Sequence, residues 1–152
     1  MGTYLVRGGK RIEGEFAVRG SKNAALPILA ACVLAADEVV LENLPQIRDV
    51  SQTLEILREL GCSVTLTGRT AVIDSRDMQA AALCGEAVRK MRSSILFLGA
   101  MLGRSGVGRI AYPGGCAIGK RPIDLHLAAF RRMGVSIAEE NEILDCRAER
   151  LQ

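Results

Sequence analysis

The chain has 152 residues, of which 49% are apolar and 24% charged, with 20 Lys and Arg against 17 Asp and Glu. A chain of this length can bury one hydrophobic core, and its net charge of +3 is too small to indicate nucleic-acid binding. The longest apolar run, residues 24–36, has about 13 residues, too few to span a bilayer, so we predict a soluble domain with no membrane segment.

The apolar spacing predicts four elements in the first half of the chain: a helix, a strand, a second helix and a hairpin. Pro27 is placed in the first turn of the first helix, Gly61 ends the second helix, and Gly68 forms the turn of a hairpin. The spacing predicts a buried helix at residues 24–36, a short strand at 39–41, an amphipathic helix at 49–60 and a hairpin whose strands are 63–67 and 71–74.

The same order recurs in the second half of the chain. A shift of 69 residues aligns the apolar positions of 26–41 with 95–110, and a shift of 73 aligns 54–64 with 127–137. The second round therefore has four additional residues, in the stretch Y-P-G-G-C-A-I-G-K-R-P. The shared string L-x-x-L/F-R-x-L/M-G-x-S-V/I argues against a chance alignment. We predict a mixed α/β domain of repeated units, none of which closes a core by itself.

The repeat places polar residues at equivalent helix starts. The shift of 69 puts Lys22 on Met91 and Asn23 on Arg92, so a cation stands just before a buried helix in both rounds. The N-terminus of a helix carries unpaired N–H groups and a partial positive charge, which suit an anion. A single lysine at the start of a helix is usually interpreted as a solvated surface residue. Because a cation stands at the equivalent place in both rounds, an anion-binding site is an equally good interpretation.

The five cysteines are scattered without a C-x-x-C pair. Their odd number, with no secretory signal at the N-terminus, predicts reduced thiols and a cytoplasmic location. Cys32, Cys62 and Cys146 fall in apolar patterns and are predicted to be buried. One histidine and no cysteine pair argue against a zinc site, and the chain has neither a dinucleotide fingerprint nor a phosphate loop, so no metal or cofactor is expected.

Cys116 differs from the other cysteines because it stands in a glycine-rich loop that can approach a ligand closely. Lys120 and Arg121 follow it, and nearby cations favour the reactive thiolate, whereas an unperturbed thiol stays protonated and can act as an acid. The sequence leaves open which state the thiol adopts. His126, in a predicted helix, is interpreted as a structural or solvent-edge residue rather than a partner of the thiol.

Four motifs in this order resemble the UDP-N-acetylglucosamine enolpyruvyl transferases: G-S-K-N-A-A-L-P-I-L-A-A, L-P-x-I-x-D-V, K-M-R-S-S-I and P-G-G-C-A-I-G-K-R-P-I-D-L-H. The sister family that makes 5-enolpyruvylshikimate 3-phosphate lacks the P-G-G-C loop. The resemblance implies an α/β (α+β) fold, an inside-out barrel of βαβαββ units, of which this chain supplies about two of the three units of one domain. It assigns residues 1–21, with a strand at 4–7, to the other domain and 22–152 to a partial catalytic-loop domain with repeats 22–90 and 91–152.

The resemblance also implies the reaction and the residues that perform it. The enolpyruvyl group of phosphoenolpyruvate passes to the 3′-hydroxyl of UDP-N-acetylglucosamine and phosphate leaves, which is the first committed step of peptidoglycan synthesis. Cys116 is implied as the proton donor, which also forms an adduct with phosphoenolpyruvate and reacts with fosfomycin. The implied phosphoenolpyruvate ligands are Lys22, Asn23 and Arg121, and those of the sugar nucleotide are Arg92, Arg121, Pro122, Ile123, Asp124 and Leu125.

The acidic residue that takes the hydroxyl proton has no counterpart in this sequence. We therefore expect the chain to need the remainder of a full-length enzyme and to be inactive alone. The alternatives are a truncated, non-catalytic chain that binds a nucleotide or a partner, and a redox module that uses Cys116. The redox interpretation is weaker because no resolving cysteine lies nearby in sequence.

Overall fold

The computed structural model describes residues 3–79, 82–114 and 122–151. Residues 115–121, which include Cys116, Lys120 and Arg121, lie outside the described residues. The elements are α1 (Lys22–Ala35), β1 (Glu38–Leu41), α2 (Arg48–Glu59), β2 (Ser63–Thr67), β3 (Thr70–Asp74), β4 (Ala82–Leu83), α3 (Glu86–Lys90), a 3-10 turn (Arg92–Ser94), α4 (Ile95–Ser105), β5 (Val107–Ala111), α5 (Asp124–Arg132), β6 (Ser136–Glu140) and β7 (Ile143–Arg147).

The predicted repeat is confirmed at the level of strand register. One sheet has the order β1-β3-β2 and the other β4-β5-β7-β6, with antiparallel pairing throughout except between β4 and β5. Val40 pairs with Val72 in the first sheet, and Arg109 pairs with Asp145 at the equivalent place in the second. The two shifts read from the sequence thus bring equivalent residues to equivalent positions of two similar units.

The core lies between the helices and the inner faces of both sheets. α1 packs against α2 and α4, and the fully buried side chains come from both units, among them Leu29, Leu57, Phe97, Leu98 and Ile110. α1 is apolar on nearly all sides, which is typical of an interior helix. Its outer face nevertheless leaves Ile28 and Leu34 about half exposed, at 49% and 51%.

One sequence prediction about the first residues is wrong, and a second one stays a prediction. Pro27 does not lie in the first turn of α1, because the helix begins at Lys22, two residues earlier than predicted. The described residues from 3 to 20 form no helix or strand, and Tyr4 and Val6 are 94% and 86% exposed. The strand at residues 4–7 was assigned to the other domain and stays a prediction. A strand needs a neighbour to satisfy its backbone groups, and no strand of the described residues pairs with this segment.

Besides the 3-10 turn, the structure adds two elements that the sequence did not predict. β4 has two residues and runs parallel to β5, and α3 has five residues and ends at Lys90. Both are too short to produce a periodic apolar pattern. Within the three described ranges, no helix has the length and apolarity to cross a membrane. Those ranges also contain no group of three or more His, Cys, Asp or Glu side chains arranged to hold a metal ion.

The cysteines in apolar patterns are buried, as predicted: Cys32, Cys62 and Cys146. Burial disfavours the charged thiolate and raises the pKa of Cys62 and of Cys146 from about 9 to about 11. The unfolded chain therefore releases these protons at lower pH than the folded chain. Their contribution to stability is complete below pH 9 and is lost as the pH rises towards 11.

We expect the urea midpoint of unfolding to fall between pH 9 and 11, the interval set by these two thiols. Equilibrium unfolding at intervals of half a pH unit measures this fall. In the variant Cys62→Ala/Cys146→Ala the midpoint should be lower at every pH, because cavities are created, but its dependence on pH in this interval should be shallower. An equally steep fall in that variant would contradict the assignment to the thiols.

Candidate functional site

The predicted cation positions of the two units line one cleft. Lys22 and Asn23 begin α1, Arg92 lies in the 3-10 turn before α4, and the first turns of α2 contribute Asp49 and Gln52. The cleft has a volume of about 430 Å³, and Lys90, Ser93 and His126 also border it. The structure thus brings Lys22, Asn23 and Arg92 together.

The cleft exists because the two equivalent helices α1 and α4 pack side by side. The first helical bond in α1 runs from the N–H of Ala25 to the carbonyl of Ser21, so the N–H groups before it make no bond within the helix. At the second corner the buried hydroxyl of Ser94 bonds to the carbonyls of Val88, at 3.0 Å, and Met91, at 2.6 Å. These bonds fix the 3-10 turn that presents Arg92.

Each cation is held by the segment that leads into the second helix of its own unit. Lys22 Nζ lies 2.9 Å from Asp49 Oδ2 at the start of α2, and Arg92 Nη2 donates to the carbonyl of Pro122, before α5, at 3.1 Å. The shift of 73 residues places Asp49 on Pro122, whereas the shift of 69 places Arg92 on Asn23, the neighbour of Lys22, so the two contacts lie at adjacent positions of the repeat. One partner is a carboxylate and the other a neutral carbonyl.

The sequence analysis missed Asp49 as a cleft residue. Asp49 belongs to the motif L-P-x-I-x-D-V, and its alignment with Pro122 is the signal that could have identified it. The buried Thr53 strengthens the placement, since its hydroxyl donates to the carbonyl of Asp49 at 2.8 Å and contacts Met91 Sδ at 3.7 Å. The first turn of α2 is therefore tied to both corners of the cleft.

We expect Asp49→Ala to raise the rate at which Lys22 is acylated by an N-hydroxysuccinimide ester, because a carboxylate no longer holds the amine. The side chains of Lys22 and Asp49 are 52% and 37% exposed, and pairs of this kind contribute roughly 0.2–1 kcal/mol, so the expected increase is about 1.4- to fivefold. Peptide mass spectrometry measures the rate against Lys10 in the same chain. Asp77→Ala is the matched control, and an unchanged ratio of Lys22 to Lys10 would contradict the role of the pair.

The segment predicted to hold the nucleotide is described from Pro122 onward. Ile123 is buried at 5% exposure, so its side chain packs into the core, whereas Leu125 is 78% exposed at the start of α5. Pro122 and Asp124 are exposed. Of this group the structure links Pro122 to the cleft, through the carbonyl that accepts from Arg92. His126 is exposed and borders the cleft, which agrees with the interpretation of a solvent-edge residue.

A second, larger cleft of about 970 Å³ lies beside Tyr112, Pro113 and Gly114, which precede the segment 115–121. The hydroxyl of Tyr112 donates to Glu139 Oε2 at 2.9 Å, and Glu139 Oε1 accepts from Arg131 at 3.2 Å. Partial burial, together with the neighbouring carboxylate, raises the pKa of Tyr112 and keeps the hydroxyl protonated as a donor.

The chain has the fold of an enolpyruvyl transferase. Residues 6–149 match the family model described as EPSP synthase (3-phosphoshikimate 1-carboxyvinyltransferase), and the chain belongs to this family. It is similar to UDP-N-acetylglucosamine 1-carboxyvinyltransferase 2 of Caldanaerobacter subterraneus subsp. tengcongensis, with 43% identity over 152 residues, all of this chain. It is also similar to the UDP-N-acetylglucosamine 1-carboxyvinyltransferases of Solidesulfovibrio magneticus, at 45% identity over 99% of the chain, and Acidobacterium capsulatum, at 42% over 100%.

The solved structures agree with this membership. The enolpyruvyl transferase NikO from Streptomyces tendae is 27% identical, with a TM-score of 0.78 over 95% of this chain and 32% of its own. An EPSP synthase from Acinetobacter baumannii, 18% identical, has the same fold, with a TM-score of 0.67 over 91% of this chain and 33% of its own. The predicted resemblance and the α/β fold are confirmed. The chain spans 36% of the length of the three curated relatives.

Proposed function

We propose that this chain is one part of a UDP-N-acetylglucosamine 1-carboxyvinyltransferase, acting in the cytoplasm on the first committed step of peptidoglycan synthesis. The observation that carries the proposal is the meeting of Lys22, Asn23 and Arg92 in one cleft formed by two repeated units. The names of three relatives at 42–45% identity support the choice of sugar nucleotide over shikimate 3-phosphate. The P-G-G-C motif at residues 113–116 supports the same choice.

The proposed reaction forms a bond between the sugar 3′-oxygen and C2 of phosphoenolpyruvate, and breaks the bond between C2 and the phosphate oxygen. Phosphoenolpyruvate carries a phosphate and a carboxylate, so its site needs cations and N–H donors that are already in place. Lys22 and Asn23 would bind phosphoenolpyruvate at the start of α1, where the helix dipole favours an anion. Their position next to Arg92 supports this assignment.

The remaining roles follow the motifs. Arg92 and the segment Pro122, Ile123, Asp124 and Leu125 would bind the sugar nucleotide. Because the side chain of Ile123 is buried, its backbone would make the contact. Arg121 would contact both substrates, and Cys116 would protonate the methylene carbon as a general acid while the sugar oxygen adds to C2. The methyl group formed in this way would lose a proton again as phosphate leaves, which restores the double bond of the transferred group.

We further propose that residues 1–21 pack with a second domain and that residues 22–152 form part of the domain that carries the cysteine loop. The exposed apolar side chains of residues 4–18 support this division, since they find no core in this chain. The base that accepts the hydroxyl proton would come from the other part of the enzyme. The chain alone should therefore bind substrate without turnover.

The test is a chimera in which this chain replaces the matched 36% of the Caldanaerobacter relative. We expect the chimera to release phosphate from phosphoenolpyruvate only when UDP-N-acetylglucosamine is added, and the chain alone to release none. Turnover with shikimate 3-phosphate instead would reject the proposed substrate. Binding of the sugar nucleotide by the chain, with a folded but inactive chimera, would favour a non-catalytic binding chain.

A further inference from the structure

The chain enters the folded domain at Gly20. The described residues from 3 to 19 are all exposed, and Gly20 is the first that is partly buried. A Cβ added to Gly20 would overlap the carbonyl oxygen of Asn43 and would lie 3.3 Å from Pro45 Cδ. Gly20 does not have a positive φ, so the space at this contact is what requires a glycine. Two backbones therefore meet here, directly before Ser21, the N-cap of α1.

The turn on which Gly20 rests is itself held in place. Asn43 has a φ of 58°, in the left-handed region that asparagine adopts more readily than most residues. Its side-chain oxygen accepts a hydrogen bond from Arg69 Nη2, and the N–H of Leu44 donates to the carbonyl of Arg69 at 2.9 Å. Leu44 and Pro45 are buried. The carbonyl of Asn43 is thus fixed by the turn between β2 and β3 and by the core.

The segment that begins with this turn, residues 43–49, also contacts Lys22. Its last two residues begin α2, where Asp49 Oδ2 lies 2.9 Å from Lys22 Nζ. The buried hydroxyl of Thr53 donates to the carbonyl of Asp49 at 2.8 Å and so holds this end of the segment. The same segment therefore contacts the start of α1 at two points, by backbone packing at Gly20 and by an ion pair at Lys22.

The second unit has an equivalent close approach of two backbones. The shift of 69 residues places Gly20 on Arg89 and Pro45 on Gly114. A Cβ added to Gly114 would lie 2.6 Å from the carbonyl carbon of Arg89. The glycine precedes the helix in the first unit and follows the strand in the second. Because one member of the contact is a glycine in both units, the close approach belongs to the repeat and not to one turn.

We propose that residues 43–49 form a brace for the start of α1, and that Gly20 is a positioning residue that sets the place of Lys22 in the cleft. This inference deepens the proposed function, on which it rests for its catalytic meaning. Gly20 does not line the cleft, so it acts there through the residues that follow it. A methyl group at Gly20 would push the chain away from the brace, and would carry Lys22 away from Asp49.

The first readout is the rate at which an N-hydroxysuccinimide ester acylates Lys22 relative to Lys10, measured by peptide mass spectrometry of the chain alone. We expect Gly20→Ala to raise this ratio by about 1.4- to fivefold, and no further than Asp49→Ala raises it, because the same ion pair is weakened. In the double variant Gly20→Ala/Asp49→Ala the ratio should equal that of Asp49→Ala, since both substitutions act on one contact.

The second readout is kcat/KM of the chimera for phosphoenolpyruvate. We expect Gly20→Ala to lower it about a hundredfold, because a displacement of about 1 Å in the position of a binding group has an effect of that size. Full activity of the chimera that carries Gly20→Ala would reject the positioning role, even where acylation of Lys22 is faster.

Two other glycine variants serve as controls. A Cβ at Gly99 would make ordinary contacts with Phe130, at 3.5 and 3.7 Å, and a Cβ at Gly108 would lie 2.8 Å from Leu98 Cδ1 in the core. Gly99→Ala controls for an added methyl group, and Gly108→Ala controls for lost stability. Neither should change the acylation ratio, and the melting temperature of every variant is measured alongside it.

A further variant tests the brace without adding an atom at Gly20. Asn43→Gly keeps the left-handed backbone and removes the side-chain bond from Arg69, so it loosens the turn. It should also raise the ratio of Lys22 to Lys10. Where Gly20→Ala does not fold, this variant decides the inference, and an unchanged ratio would overturn the brace.

An unchanged ratio in a folded Gly20→Ala chain would likewise overturn the brace. So would increases that multiply in the double variant, or an increase that Gly108→Ala reproduces. Acylation needs no turnover and therefore decides between the two proposals. An inactive chimera, combined with faster acylation of Lys22 in Gly20→Ala, would reject the proposed function and retain the brace.

Discussion

Lys22→Ala is expected to reduce kcat/KM of the chimera for phosphoenolpyruvate by about a thousandfold, a loss typical of removing a preorganised charge from a site where negative charge develops. The amine lies at the start of α1, beside Asn23 and across the cleft from Arg92. Alanine leaves the helix intact, since it is the best helix former. Steady-state kinetics with varied phosphoenolpyruvate at saturating sugar nucleotide measure the effect.

Two variants separate the placement of this charge from its mere presence. Lys10→Ala removes the same group from the segment before α1, which does not line the cleft, and should leave the kinetics unchanged. Lys22→Arg keeps the charge but replaces a compact ammonium group with a planar fork, and we expect it to recover only part of the activity. A Lys22→Ala chimera within about twofold of the unaltered one would remove Lys22 from the site, because any preorganised contact is worth more.

Cys116→Ala should lower kcat of the chimera by about a thousandfold, within the range expected for loss of a general acid. The same substitution should abolish covalent labelling by fosfomycin, which we expect to modify Cys116 and no other cysteine. Kinetics and peptide mass spectrometry of the labelled protein measure the two effects. Binding of UDP-N-acetylglucosamine should be retained, since the proposed nucleotide contacts lie elsewhere.

Cys84→Ala is the matched control, because Cys84 is the free cysteine among the described residues that is only partly buried. It should leave both kcat and labelling unchanged. Equal labelling of Cys84 and Cys116 would indicate general thiol reactivity rather than a tuned site. Full activity of Cys116→Ala would assign the proton transfer to another group.

The repeat made most of the fold predictable. The helices α1, α2 and α4 and both hairpins appear where apolar spacing placed them, because each is long enough to show its period. β4 and α3 were not predicted because a strand of two residues and a helix of five are too short to show a periodic pattern of apolar residues. The strand at residues 4–7 stays a prediction, because strand formation depends on a partner strand that local sequence does not specify.

The candidate site was only partly predictable for a different reason. Lys22, Asn23 and Arg92 could be named as candidates because the repeat places polar residues at equivalent helix starts, and helix starts have a known chemistry. The partner of Lys22 lies 27 residues away in Asp49, and the contact of Gly114 with Arg89 joins residues far apart in sequence. Neither contact leaves a local periodic signal, so both required the packed structure.

The four additional residues of the second unit lie between β5 and α5, and the register of the strands on either side is undisturbed. The longer connection is therefore separable from the scaffold that supports it. The first unit shows how the scaffold closes with a shorter connection in the same place. The part of the chain that holds the thiol could thus change in length and chemistry while two sheets and their helices stayed the same.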